Sequence, residues 1–383
     1  MESSLSGPAG SLQAVLGPAQ EGPLVAGLPA VLRAAQRIAE DLPVDRIILR
    51  QAPPGFARRW SRQLDGCNGT RVDCADNGGG PSREGRDPLL EVCGRGLPRS
   101  GALARFLDEA RAADGPARWV RQGEVLAVYH PAGSGPGGRE ARDFEAGAAD
   151  WLAFDEPDAV PRAEAELFAS LAKDTDGYIA RFDRRISVAL SRWLLRTPVT
   201  PNHITTASLA LGLLGAALLG FGSYPLQLSG AVILWFCCIL DGCDGEVARL
   251  KMLCSRSGAD YDLGADHLTH LAIFVAIPFG VRAADPQARV LLPGALMVSG
   301  LAASMLTVWW TILRRPAQSL GRARLFFERV ASRDYVYLIL ALVAVRRLHW
   351  FLWAAAFGAH CFNLAIWWLF LRYPDAAEPA PAS

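Results

Sequence analysis

Four carboxylates stand where one apolar segment of this chain ends and the next begins. Asp241, Asp244 and Arg249 lie in Asp-Gly-Cys-Asp-Gly-Glu-Val-Ala-Arg at 241–249, and Asp262 and Asp266 lie in Gly-Ala-Asp-Tyr-Asp-Leu-Gly-Ala-Asp at 258–266. An ionised carboxylate at mid-membrane costs roughly 2.5–3.5 kcal/mol on insertion scales, so an acidic cluster at a membrane segment marks function. Charges that repel one another also need cations between them. If the first stretch is helical, Asp241 and Asp244 share a face at i and i+3, and Asp262 and Asp266 share one at i and i+4 on the next helix. Two such helices side by side would turn all four carboxylates into one cleft. Oxygen-only ligation suits Mg²⁺ or Mn²⁺ rather than zinc. Two hard cations about 4 Å apart can hold a diphosphate and stabilise an attacking and a leaving oxygen together. Gly245 and Gly258 would let a nucleotide or facing backbone come close. Arg249 can reach a phosphate or pair with a carboxylate.

The pattern Asp-x-x-Asp-Gly-x-x-Ala-Arg, eight residues, Gly-x-x-x-Asp-x-x-x-Asp resembles that of the CDP-alcohol phosphotransferases, and all eight fixed positions are present. At average residue frequencies it arises by chance on the order of 10⁻¹⁰ times per starting position. The resemblance implies an integral membrane enzyme that splits a CDP-alcohol, passes the phospho-alcohol to a hydroxyl acceptor and releases CMP. It implies that Asp241, Asp244 and Asp262 ligate metal, and that Asp266 is the general base on the acceptor hydroxyl and also touches a metal. Gly245, Ala248, Arg249 and Gly258 would form the CDP-binding surface. The family's usual six membrane helices and a homodimer are expected with it.

The second half of the chain supports a membrane reading. A bilayer core takes about 20 mainly apolar residues per helix. Segments near 204–222, 226–246, 261–282, 290–313, 335–348 and 350–371 qualify, the fifth being short. The arginines at 314, 315, 322, 324, 329 and 333, and those before the first segment, place the acidic motif on the cytoplasmic side by the positive-inside rule, while Arg346 and Arg347 violate it mildly. Within 173–200, Ile179, Phe182, Ile186, Leu190, Trp193 and Leu194 recur at helical spacing, with arginines elsewhere on the wheel, which predicts an amphipathic helix at the lipid interface. Pro201-Asn202-His203 then precedes a helix start at Ile204-Thr205. The run 173–178 and the Pro-Asn-x-Ile-Thr resemble a two-domain subset of the family that joins an inositol-1-phosphate cytidylyltransferase to a di-myo-inositol-phosphate-phosphate synthase.

The first half is soluble in composition. A helix ending near Leu42 and strands at Asp45–Leu49 and Glu124–His130 predict an α/β layer domain over 21–172. It is similar, over few residues, to a nucleotidyltransferase. The Gly-rich phosphate loop of such enzymes is missing, and no lysine precedes Lys173. Arginine is not a geometric equivalent of a lysine clamp. A degenerate, non-catalytic domain is therefore expected, with residues 65–101 too irregular for a tidy core. Residues 1–20 and 375–383 are expected to be disordered, and 201–374 to hold the six-helix domain.

A net charge of +1 argues against a nucleic-acid partner. No basic start with a long apolar core marks a cleavable signal peptide. The eight cysteines lack metal spacing and are expected to be small buried thiols. The expected function is metal-dependent transfer from a CDP-alcohol to a hydroxyl such as that of a polyol phosphate. The alternatives are a bifunctional enzyme whose first domain makes the CDP-alcohol from CTP, or an inactive membrane scaffold.

Overall fold

The computed structural model describes residues 12–17, 22–65, 70–75, 87–93, 95–113, 115–133, 140–171, 178–310 and 335–372. The expected disordered tail and the arginines of 314–333 lie outside them. The chain forms two compact units. One comprises Met1–Asp176, Val188–Pro201 and Gly245–Arg256; the other comprises Gly177–Ser187, Asn202–Asp244 and Ser257–Ser383.

The first unit is an α/β layer domain. Its strands are β1 (Leu12–Leu16), β2 (Leu24–Val25), β3 (Leu28–Pro29), β4 (Val44–Arg50), β5 (Arg71–Ala75), β6 (Leu89–Val92), β7 (Gly96–Pro98), β8 (Ala117–Arg121), β9 (Glu124–His130), β10 (Arg142–Glu145) and β11 (Trp151–Ala153). Its helices are α1 (Ala30–Asp41), α2 (Phe56–Arg59), α3 (Ser61–Asp65), α4 (Ala102–Ala112) and α5 (Ala159–Ala169). Seven strands make one sheet in the order β10-β8-β9-β6-β1-β4-β5. All neighbours run parallel except β9, which is antiparallel to β6 and β8. The chain leaves β1 for β4 on one side and later places β6 on the other, so the order reverses at β1, where open α/β sheets leave a crevice at the strand ends.

Two expectations fail here. Leu12–Leu16, which composition assigned to a disordered leader, is an interior strand between β6 and β4, with Ala14 and Val15 fully buried. A five-residue run buried on both faces is held as a strand by its neighbours, whatever its modest strand propensity and its Gly- and Pro-rich flanks suggest. Residues 65–101 are likewise not irregular throughout: β5, β6 and β7 fall there, and Leu90 and Val92 are buried beside β1. Helix α1 starts later than its apolar run because Leu24-Val25 and Leu28-Pro29 pair as a small hairpin first. Its apolar stripe, Leu32, Ala35 and Ile38, is fully buried against the sheet. Phe106, Trp119 and Trp151 fill the core under α4, with ring centroids 5.5 and 5.9 Å apart.

Among the described residues, the helices of the second half are α6 (Tyr178–Leu195), α7 (Pro201–Leu219), α8 (Tyr224–Leu250), α9 (Arg256–Ala284), α10 (Leu291–Val308), α11 (Tyr335–Ala344) and α12 (Leu348–Arg372). Among the described residues, α7, α8, α9 and α12 are long and apolar enough to cross a membrane, while α10 and α11 are shorter apolar helices. Pro201 is the first residue of α7 rather than a break before it, which suits a residue with no N–H to satisfy. In α6, Ser187, Ser191 and Leu194 are buried whereas Phe182 and Trp193 are exposed.

Large apolar side chains such as Phe279, Leu291, Phe357, Leu364 and Leu371 lie on the outside of this unit. A water-soluble domain rarely exposes so much apolar surface, and a lipid-embedded bundle must. This is the surface of an integral membrane architecture. Inside, small residues let helices meet. A Cβ at Gly280 of α9 would run into the Leu219 carbonyl of α7, and one at Gly230 of α8 would sit 2.7 Å from the Gly215 carbonyl. Close backbone approach of this kind replaces the hydrophobic drive that lipid removes.

Candidate functional site

Helix α8 runs unbroken through 241–250, and α9 through 258–266. The helical spacing expected of the motif is therefore realised on both. Carboxylate oxygens of Asp241, Asp244 and Asp262 all lie within 4.8 Å of one another. Asp241 and Asp244 are buried and Asp262 half-buried. Thr205, on the first turns of α7, donates to Asp244 Oδ2 at 2.5 Å, which fixes the rotamer of that carboxylate. Asp262 Oδ1 is buried with no hydrogen-bond partner. A buried acceptor left without a donor is costly, and three carboxylates this close repel. An oxygen-ligated divalent cation answers both, so the residues present fit a Mg²⁺- or Mn²⁺-type ion.

Asp266 is not part of that triad. It lies one turn further along α9 and lines a small cavity with Asp241, Thr269, His270 and Tyr335. The ring of His270 packs against that of Tyr335 at 5.4 Å. The structure thus brings three of the four expected carboxylates into one ligand set and leaves the fourth beside Asp241. His267 turns to its own helix, its Nδ1 2.6 Å from the Leu263 carbonyl.

Gly245, Ala248 and Arg249 continue α8 but group with the α/β unit, whereas Gly258 opens α9 in the helical unit. Arg249 is exposed, and its Nη1 lies 3.8 Å from where a Cβ on Gly245 would stand, so its side chain runs back along the helix over the glycine. Between them Glu246 is fully buried and accepts a hydrogen bond from Ser191 Oγ at 2.8 Å.

Sequence reasoning missed Thr205, which it read only as a helix start in Pro-Asn-x-Ile-Thr. It also missed a polar chain in the helical unit, in which Trp235 Nε1 donates to Tyr337 Oη at 3.1 Å and Tyr337 donates to Asp183. An apolar-segment reading gives no warning of pairs so distant along the chain. The cysteines divide unevenly: Cys237 and Cys243 are buried as expected, but Cys93, Cys254 and Cys361 are exposed.

Residues 198–361 match the family described as CDP-alcohol phosphatidyltransferase. The carboxy-terminal half is a CDP-alcohol phosphatidyltransferase domain. The acidic triad and Asp266 fall inside it. The chain is 34% identical over 209 residues to a bifunctional IPC transferase and DIPP synthase of Rubrobacter xylanophilus, a match that spans 54% of this chain and 45% of that protein. It is 31% identical over 104 residues to a phosphatidylinositol phosphate synthase of Mycobacterium marinum, covering 26% of this chain and 43% of that one. The crystal structure of the Mycobacterium tuberculosis phosphatidylinositol phosphate synthase with CDP-DAG bound aligns with a TM-score of 0.37 at 18% identity, over 52% of this chain and all of that one. The chain spans under half the length of the curated relatives named here. The phosphatidyltransferase domain is thus matched as a part, and the α/β unit has a cavity of its own. That cavity, about 500 Å³, opens at the ends of β1 and β6 beside the start of α1. Its described lining residues include Arg95, Glu124 and Asp155, a mixed rather than basic set.

Proposed function

We propose that the protein transfers a phospho-alcohol from a CDP-alcohol to an acceptor hydroxyl and releases CMP, in phospholipid or inositol-phosphate synthesis. The observation that carries this reading is the acidic triad, with its unpartnered Asp262 oxygen, inside the phosphatidyltransferase domain. Asp241, Asp244 and Asp262 would hold the metal, with Asp266 at its edge. Bound divalent cations, two in this reading, supply charge neutralisation on the diphosphate. Asp266 takes the proton from the acceptor hydroxyl as its oxygen attacks the β-phosphorus of the donor, working by position beside Asp241. Gly245, Ala248, Arg249 and Gly258 form the CDP surface, the glycines leaving room and Arg249 supplying positive charge toward phosphate.

Relatives named for inositol lipid and inositol phosphate synthesis favour a polyol-phosphate acceptor. The reading carries a site open to the cytoplasm in a multi-pass, six-helix homodimer. The test is CMP release by purified protein with Mg²⁺ or Mn²⁺, scanned over CDP-donors and polyol-phosphate acceptors. Absence of CMP release with every pair would remove the proposal. Thr205→Val should lower the rate by about 10–100-fold, the usual cost of losing a partner that orients a ligand, with melting little changed. An unaltered rate would show that Asp244 needs no such support.

The α/β unit is read as a degenerate nucleotidyltransferase-like domain without transfer activity. Its cavity offers one arginine against two carboxylates among the described lining residues, a poor match for a triphosphate. Full-length protein given CTP and a polyol phosphate should release no pyrophosphate above background. Release at a rate comparable to that of CMP would establish the bifunctional alternative instead.

A further inference from the structure

Helix α8 ends in an arrangement that the α/β unit completes. Lys251 N donates to Val247 O at 2.8 Å, Met252 N to Arg249 O at 3.2 Å and Leu253 N to Ala248 O at 2.8 Å. With Met252 at φ 52, these bonds form a Schellman cap in which Ala248 and Arg249 are the two capped carbonyls. A left-handed conformation is unfavourable for any residue with a Cβ, and Met252 is not a glycine. Its side chain, only 2% exposed, is anchored in the same core as Leu32 and Ile38 of α1.

The cap leaves the Leu250 carbonyl, the next along the helix, without an intrahelical donor. Arg33 of α1 fills it: Nη2 donates to Leu250 O at 2.6 Å. The same guanidinium donates to Val25 O at 3.1 Å and Ala26 O at 3.2 Å in the hairpin that precedes α1. Arg33 is itself 2% exposed, and burial pulls it down to about 10, so it stays charged at neutral pH. A buried cation at a helix C-terminus also opposes the negative end of the helix dipole. From the other side, Lys251 Nζ donates to Thr197 O at 2.8 Å and Val199 O at 2.7 Å, tying the cap to the segment after α6.

We infer that Arg33 is a positioning residue for the donor-binding turn: it locks the cap of α8 and so fixes how Ala248 and Arg249 are presented to the CDP moiety. The α/β unit then supports the end of α8 that groups with it, residues 245–250. This rests on the transferase reading above only for the identity of the ligand at 245–249.

The test uses full-length protein in detergent with two readouts. Arg33→Met, which keeps bulk but no donor, should speed hydrogen exchange at the Met252 and Leu253 amides and raise the KM for the CDP-donor by about tenfold or more, since small displacements at a site carry such effects. The acceptor KM and kcat should stay close to the parent, and Arg33→Lys should recover most of the loss. Should Arg33→Met fail to fold, Met252→Ala removes the buried anchor instead and should give the same donor-specific rise. Parental exchange and donor KM in these variants would overturn the inference. So would donor and acceptor KM rising together with a lowered melting temperature, because that is general loosening. A parent protein that releases no CMP from any donor would sink the transferase reading alone, and the exchange comparison would still decide the cap.

Discussion

Asp266→Asn should lower CMP release by about 10²–10⁴-fold, the usual contribution of a positioned general base, while Mn²⁺ affinity stays within about threefold of the parent. The separation follows from geometry. Asp241, Asp244 and Asp262 place oxygens within 4.8 Å of one another, and Asp266 stands outside that set, on the small cavity it shares with Asp241, His270 and Tyr335. Asparagine keeps the size and most of the packing of the side chain but cannot accept a proton and become neutral. Folding should be little affected, because the substitution also removes one like charge beside Asp241. The measurement is paired: steady-state CMP release at saturating donor and acceptor, and Mn²⁺ binding followed by its electron paramagnetic resonance signal. Near-parental turnover would remove the base assignment. Loss of Mn²⁺ binding equal to that of a triad variant would instead make Asp266 a ligand, and the proton would need another acceptor.

The parts of this molecule that could be read from sequence are those set by short-range periodicity. The i, i+3 and i, i+4 spacing of the aspartates put them on helix faces because α8 and α9 are uninterrupted there. Apolar run length located α7, α8, α9 and α12. What stayed hidden depends on partners far away along the chain. β1 is a strand because β4 and β6 flank it, not because of its own flanks, which are Gly- and Pro-rich. Thr205 reaches Asp244 across 39 positions, and Arg33 reaches Leu250 across 217. A buried arginine in an amphipathic helix looks, in sequence, like any solvated one. Its role appears only once the cap that needs it has been folded against α1.

Asp262→Asn should have the opposite profile to the base variant: metal binding fails first, and turnover fails with it by about 10²-fold or more, as when a charge-stabilising group is removed. Asp262 carries a buried oxygen with no hydrogen-bond donor, which a cation would satisfy. Without metal, three carboxylates within 4.8 Å destabilise the fold by mutual repulsion and desolvation. Replacing one by a neutral amide relieves both. The metal-free variant should therefore melt above the metal-free parent, about 1 kcal/mol being worth about 2–4 °C in a unit of this size. Saturating Mn²⁺ should reverse the order. Ligand at about 100 times its Kd adds about 2.7 kcal/mol to a protein that binds it only when folded, and the variant forgoes that gain. Melting curves of parent and variant in detergent, with chelator and with Mn²⁺, should cross. Curves that do not cross, with the variant less stable in chelator as well, would mean that Asp262 serves the fold through contacts of its own and that the triad is not held open for a cation.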